Sequence, residues 1–305
     1  MLIGLKLDID FARDGVYRRL YGKRDVLSFL KDSGVEAVEI PVGPETGAAP
    51  LREHIARCVD GGLKVSLHPY SEATIYNPAF FSPDQNNPCR SLHERFLTAA
   101  AEVARRQHYP TIVNIHGAAG MRADPRWHLR EQSVSFFAWA GDWCRRNAPD
   151  VSVAVELQIS PNHDEPMQRI GDNYEELLAV ATRSDVVACW DFGHAYRNAR
   201  THGWPLDPPE ALLARIGHVH CHDVCREDHQ PLLYDVVPWR DFLKLLIGRG
   251  FDGRIILEVP PSAFMRAGGL GTLTASLQVL HAWVQRCTEP RHRRAETTGD
   301  VPGGV

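Results

Sequence analysis

The chain has 305 residues, 44% of them hydrophobic and 24% charged, and a formal net charge of −4 at pH 7. These are the proportions of an ordinary soluble protein long enough to bury a full core. No apolar run reaches membrane-spanning length, which sets a membrane-spanning protein aside, and no basic excess marks a nucleic-acid partner, a weaker argument because the distribution of charge matters more than its sum. The seven cysteines are odd in number, scattered and without a C-x-x-C pair, which reads as reduced thiols in a cytoplasmic protein. The opening residues 1–8 carry charge too early for a signal peptide.

In chain order, residues 2–9 are predicted as a strand and 23–33 as a helix closed by Gly34. Residues 35–40 alternate with period two and end before Pro41, giving strand two. A helix over 51–60 leads to strand three at 64–68, and a polar, proline-rich loop then runs to Pro88. Loops of that length inside a compact domain are usually functional. Residues 91–107 have helical spacing, 111–116 form strand four, and 130–147 form a helix carrying Phe136, Phe137, Trp139 and Trp143. Strand five is 151–156, a helix covers 174–182, and strand six is 187–191. After a short helix at 210–215 come strand seven at 216–222 and a helix over 238–248 with proline at its start. Strand eight is 255–258 and the last helix is 272–286. Strand–helix units in this alternation predict an α/β fold, a single (β/α)8 TIM barrel over residues 1–287, with 288–305 a disordered tail.

Ionisable residues close the predicted strands: His68, His116, Glu156, Asp191, His220 and Glu258, with His194 one turn beyond Asp191. In such barrels the strand C-termini form the active face. A buried, unpaired carboxylate costs several kcal/mol or more. Carboxylates gathered on one rim repel one another unless a cation neutralises them. Mixed Asp, Glu and His ligation suits one divalent metal, Mn²⁺, Mg²⁺, Co²⁺ or Zn²⁺. His218, His220 and His222 share one face by period two, so His218 is expected deeper, as a hydrogen-bonded interior histidine. His222 and Asp223 are expected to orient a ligand.

The segments Val38-Glu39-Ile40-Pro41, Ser66-Leu67-His68-Pro69-Tyr70, Asn114-Ile115-His116-Gly117, Val155-Glu156-Leu157, Trp190-Asp191-Phe192-Gly193-His194, His220-Cys221-His222-Asp223 and Leu257-Glu258-Val259-Pro260 are similar, in this order, to motifs of the xylose-isomerase-like TIM-barrel superfamily. That superfamily includes sugar isomerases and epimerases and the endonuclease IV type of DNA-repair enzyme. Its ketose-epimerase branch implies a metal held by Glu156, Asp191, His220 and Glu258, with His194 and Arg226 on substrate. The endonuclease IV branch implies further zinc ligands at His68, His116 and His194, and at a D-x-H pair that here reads Glu227-Asp228-His229. Glutamate at 227 departs from that pattern. The histidines of strands three and four are common to isomerases too, where they would face substrate.

The chemistry expected is isomerisation or ketose epimerisation, with Glu156 and Glu258 moving a proton to and from a metal-stabilised enediolate. Tyr70, Tyr76, Trp127 and Trp204 either stack on a sugar face or pack the loops. No glycine-rich phosphate cradle is present, which favours a free sugar or polyol. The alternatives are a multi-zinc phosphodiesterase acting on DNA, or a dehydratase or lyase using the same enolate stabilisation. Residues 71–88 contain no Lys or Arg to grip phosphates, which counts against a nucleic-acid substrate. A homo-oligomer is compatible with the sequence.

Overall fold

The computed structural model describes residues 1–11, 14–43, 46–69 and 76–289. Eight parallel strands close a barrel: β1 (Leu2–Lys6), β2 (Ala37–Val42), β3 (Lys64–Pro69), β4 (Thr111–His116), β5 (Val151–Glu156), β6 (Val187–Asp191), β7 (Ile216–Cys221) and β8 (Arg254–Leu257). Each pairs with its neighbours in sequence, and β8 returns to β1. Helices flank the strands, so the fold is the (β/α)8 barrel that the alternation predicted.

Alternation on β6 shows how the sequence aims a functional side chain. Trp190 turns outward, its ring 4.7 Å from those of both Phe192 and Phe242, with Nε1 donating to the Tyr174 hydroxyl at 3.2 Å. With period two along the strand, Asp191 must then point into the barrel mouth. Register does the rest. Asp191 is paired with His220 across β6 and β7, and His116 with Glu156 across β4 and β5.

Several elements differ from the sequence expectation. The helix expected at 23–33 spans Val26–Asp32, and an unexpected helix, Gly15–Tyr21, precedes it; Asp14 and Asp25 each accept from backbone N–H groups and start one of them. Helix Phe192–His202 begins directly on Asp191, with no intervening loop. Two antiparallel ribbons sit above the barrel: Ala119–Met121 with Met167–Arg169, and Asp223–Cys225 with Glu227–Gln230. Strand β8 stops at Leu257, yet the Glu258 backbone still donates to Cys221 O at 3.2 Å. The last helix spans Leu270–Thr288, and the remainder of the expected tail, 290–305, lies outside the described residues.

The outer helices are tied down by buried histidines as well as apolar rings. His93, on helix Pro88–Gln107, donates from Nε2 to Tyr76 O at 3.0 Å and meets Phe136 edge-on at 4.6 Å. Burial pushes its pKa down from 6.5 to about 4. A histidine held neutral in the fold stabilises fully above its unfolded pKa and loses that contribution as pH falls toward its folded one. The window is therefore pH 6.5 down to about 4 and the effect is on the order of 3 kcal/mol. Urea unfolding at pH 7 and pH 5 should show a markedly smaller acid loss in His93→Gln than in the wild type; equal losses would exclude His93 as a source.

Candidate metal centre

One ligand atom from each of Glu156, Asp191, His220 and Glu258 falls within 4.8 Å of the other three. All four residues are buried. His220 Nδ1 is the hub, standing 2.8 Å from Glu258 Oε2, 3.6 Å from Glu156 Oε2 and 3.7 Å from Asp191 Oδ2. Neither His220 Nδ1 nor Glu258 Oε2 has a hydrogen-bond partner among the described residues. Buried polar atoms are rarely left so. A lone pair and a carboxylate oxygen aimed at one point without a donor between them are what a divalent cation completes. On this observation the residues fit such an ion.

The surrounding contacts set the orientation of each ligand. Asp191 Oδ1 accepts from the His194 backbone N–H at 2.7 Å, capping helix Phe192–His202, and from His222 Nε2 at 3.0 Å. Glu156 Oε2 accepts from Asn114 Nδ2, and Glu156 Oε1 stands 3.3 Å from His116 Nε2. His68 and His194 each donate from Nδ1 to a backbone carbonyl at 2.9 Å, of Asn114 and Leu157 respectively, which fixes the angle of both rings. Three further sets of candidate ligands adjoin the first: His68, His116 and Glu156; Asp191, His194, His222 and His229; and Cys189, His218 and His220.

The electrostatics follow from this crowding. Burial would raise the Glu156 carboxyl, but His116, His220 and His68 outweigh it and hold it well below the usual range. Burial likewise opposes ionisation of Asp191, and His194 and His222 overcome it; for Glu258 the opposing groups are His220, Lys6 and His229. The same crowding favours the charged form of two imidazoles. His222 is pushed up to about 9, against the effect of burial, chiefly by Asp191. His220 is raised well above 6.5 by its anionic neighbours although burial acts the other way. A cation bound by His220 Nδ1 would take the place of a proton there, so binding would be coupled to proton release.

Gly193 makes this arrangement possible. A Cβ there would lie 1.9 Å from His222 Cε1. Gly193→Ala should displace the His222 ring from Asp191 and destabilise the fold by roughly 1–3 kcal/mol, an overpacking cost. A thermal melt within error of the wild type would show that the ring has room to move.

A cavity of about 450 Å³ opens above the cluster, and Glu156, Glu258, His68, His116 and His194 reach it. The pattern that defines the xylose isomerase-like TIM barrel matches residues 27–281. The chain belongs to that family. Among solved structures it is similar to D-psicose 3-epimerase from Clostridium cellulolyticum H10, crystallised with D-tagatose, at 13% identity and TM-score 0.61 over 95% of this chain and 100% of that one. A xylose isomerase domain protein from Alicyclobacillus acidocaldarius gives 15% identity and 0.59 over 94% and 100%, and the IolI protein with a binding zinc atom gives 12% and 0.59 over 95% and 100%. At these identities the likeness is one of fold. No curated protein matches the sequence.

In this xylose isomerase-like barrel the remaining sequence-predicted residues divide. His68, His116, His194 and His229 line the cavity. Arg226 does not: it is exposed, at φ +53° in the turn of the Asp223–Gln230 ribbon, and is not among the cavity-lining residues. Glu227 reaches the cavity rim but pairs with Arg266 at 2.9 Å and joins none of the four ligand sets. The turn carries Asp228 inward in its place, Oδ2 lying 3.7 Å from His194 Nε2 and Oδ1 3.4 Å from His222 Nδ1. The His222 ring stands against Asp191, one of the four candidate ligands. The Asp223 carboxylate accepts from the backbone N–H groups of Tyr234 and Val237 and so holds the following loop.

Of the aromatic residues, Tyr76 lines the cavity while stacking on Phe96, Trp127 is 62% exposed, and Trp204 stacks on His202 beside a separate groove. Tyr70 lies outside the described residues. Sequence reasoning passed over Lys6, whose Nζ is 3.1 Å from Glu258 Oε1, and Arg169 on the cavity wall. It gave Glu39 no role. A charged residue closing β1, as ionisable residues close the other strands, was the available signal for Lys6.

Proposed function

We propose that the protein is a divalent-metal-dependent isomerase or epimerase of a free sugar or related polyol. The observation that carries this reading is the convergence of Glu156, Asp191, His220 and Glu258 at the floor of a cavity, with two glutamates of the set reaching the cavity itself. Glu156, Asp191, His220 and Glu258 would hold the cation. When bound, a divalent cation supplies Lewis-acid polarisation of a carbonyl and its neighbouring hydroxyl, which acidifies the hydrogen between them.

The chain's own groups do the rest. Glu258 has Oε2 turned to His220 and Oε1 turned to Lys6, so Oε1 is the oxygen placed to take a proton from substrate. Glu156, from β5, returns one from a different direction. Lys6, His116 and Arg169 line the cavity beside the two glutamates and would donate hydrogen bonds to substrate oxygens. His68 and His194 present Nε2 toward the same space.

A proton-transfer enzyme of this kind washes solvent hydrogen into its substrate. Incubating the Mn²⁺- or Co²⁺-supplemented protein with a panel of aldoses and ketoses in D₂O should give one sugar carrying deuterium on the carbon next to the carbonyl, read by NMR. Absence of exchange across the panel would count against the reading. The extra ligand sets at His68, His116 and Glu156 and at Asp191, His194, His222 and His229 favour a second one, a multi-zinc phosphodiesterase. Metal content after purification separates the two: one Mn, Mg or Co per chain supports the isomerase, two or three Zn with cleavage of abasic DNA the hydrolase.

A further inference from the structure

The buried carboxylate of Glu39 lies outside the four candidate ligands yet touches one of them. Glu39 is 1% exposed on β2, and it reaches across the barrel interior to β7. Its Oε1 accepts from His220 Nε2 at 2.6 Å, and its Oε2 accepts from His218 Nε2 at 2.7 Å and from Ser66 Oγ at 3.3 Å. A buried carboxylate costs several kcal/mol unless it is paired and hydrogen-bonded, and here each oxygen has its own imidazole.

We infer that Glu39 is a positioning residue: its hydrogen bond to His220 Nε2 fixes the ring so that Nδ1 faces Glu156, Asp191 and Glu258. The inference rests on the proposal that a cation is held there. The geometry is specific. A half-turn of the imidazole about its Cβ–Cγ bond would set Cδ2 against the carboxylates and Cε1 against Glu39, losing both interactions at once. Because Nε2 carries the proton toward Glu39, the lone pair must be on Nδ1 when the ring is neutral. Histidine ligands generally pass their other N–H to a carboxylate, which sets tautomer and ring angle.

His218 provides the internal control. It shares Glu39 but is grouped with none of Glu156, Asp191 and Glu258; its own candidate set is with Cys189 and His220. A merely structural network predicts that losing either partner weakens metal binding alike.

The test is Co²⁺ titration, followed by its visible d–d absorption and by calorimetry, of the wild type, Glu39→Gln and His218→Gln, each checked for folding by circular dichroism. Glu39→Gln should weaken Co²⁺ binding roughly 10–100-fold and His218→Gln by no more than about threefold. Tight wild-type binding left unchanged by Glu39→Gln overturns the assignment, as does an equal loss in both variants. A wild type that takes up no Co²⁺ removes the cation itself, a distinct failure that takes this inference with it. Should Glu39→Gln not fold, the zinc-loaded wild type answers by ¹⁵N NMR of its histidines. The proton on His220 Nε2 with the metal shift on Nδ1 is the expected pattern, and the reverse overturns it.

Discussion

Glu258→Gln is expected to lower turnover by about three orders of magnitude while the barrel stays folded. Proton transfer by a positioned side chain contributes roughly 10²–10⁴-fold to a rate, and the amide cannot accept the proton at all. The substitution is nearly isosteric, so packing around Leu257 and Val259, both buried, is unchanged. It also removes the anion from Lys6 and from His229, whose Nε2 is 3.3 Å from Glu258 Oε2. Because Glu258 is both a candidate ligand and the candidate base, the rate must be read with metal content. A variant that keeps its metal, melts like the wild type and has lost deuterium exchange identifies the base. One that turns over normally removes Glu258 from the chemistry.

Stripping the cation should be the second large effect. Three buried carboxylates, Glu156, Asp191 and Glu258, share a space in which protonated imidazoles are their other counter-charges. A ligand that binds only the folded state at 100 times its dissociation constant adds about 2.7 kcal/mol. For a chain of this size that corresponds to roughly 4 °C in melting temperature. Dialysis against a chelator should lower the melt by that amount and bring exchange activity to background, and adding back one of Mn²⁺, Co²⁺, Mg²⁺ or Zn²⁺ should restore both. If none of the four shifts the melt, the centre holds no divalent ion.

How much of this was legible before the fold is clearest at particular residues. The four candidate ligands were found because a strand end and a two-residue alternation are local properties: Trp190 beside Asp191 tells which way the acid points without reference to any other strand. His218 was placed in the interior by the same rule. Arg226 went astray because a tight turn, not spacing, decides which residues of the ribbon look inward. Positive φ at Arg226 and His229 turns Asp228 and His229 to the cavity and leaves Arg226 outside. Glu39 was quoted within a motif but could be given no work, since its partners are 179 and 181 residues away.

The sequence by itself therefore determined the barrel and the kinds of side chain at its active rim, because strand length, apolar alternation and terminal charges are written within a few residues of one another. Tertiary structure alone decided which of those groups meet. Closure brings β2 across from β7 and so sets Glu39 on His218 and His220, and helix Phe192–His202 starts at once on Asp191, folding Gly193 under His222. Such contacts depend on ring closure and inter-strand register, quantities that no local window of the chain contains.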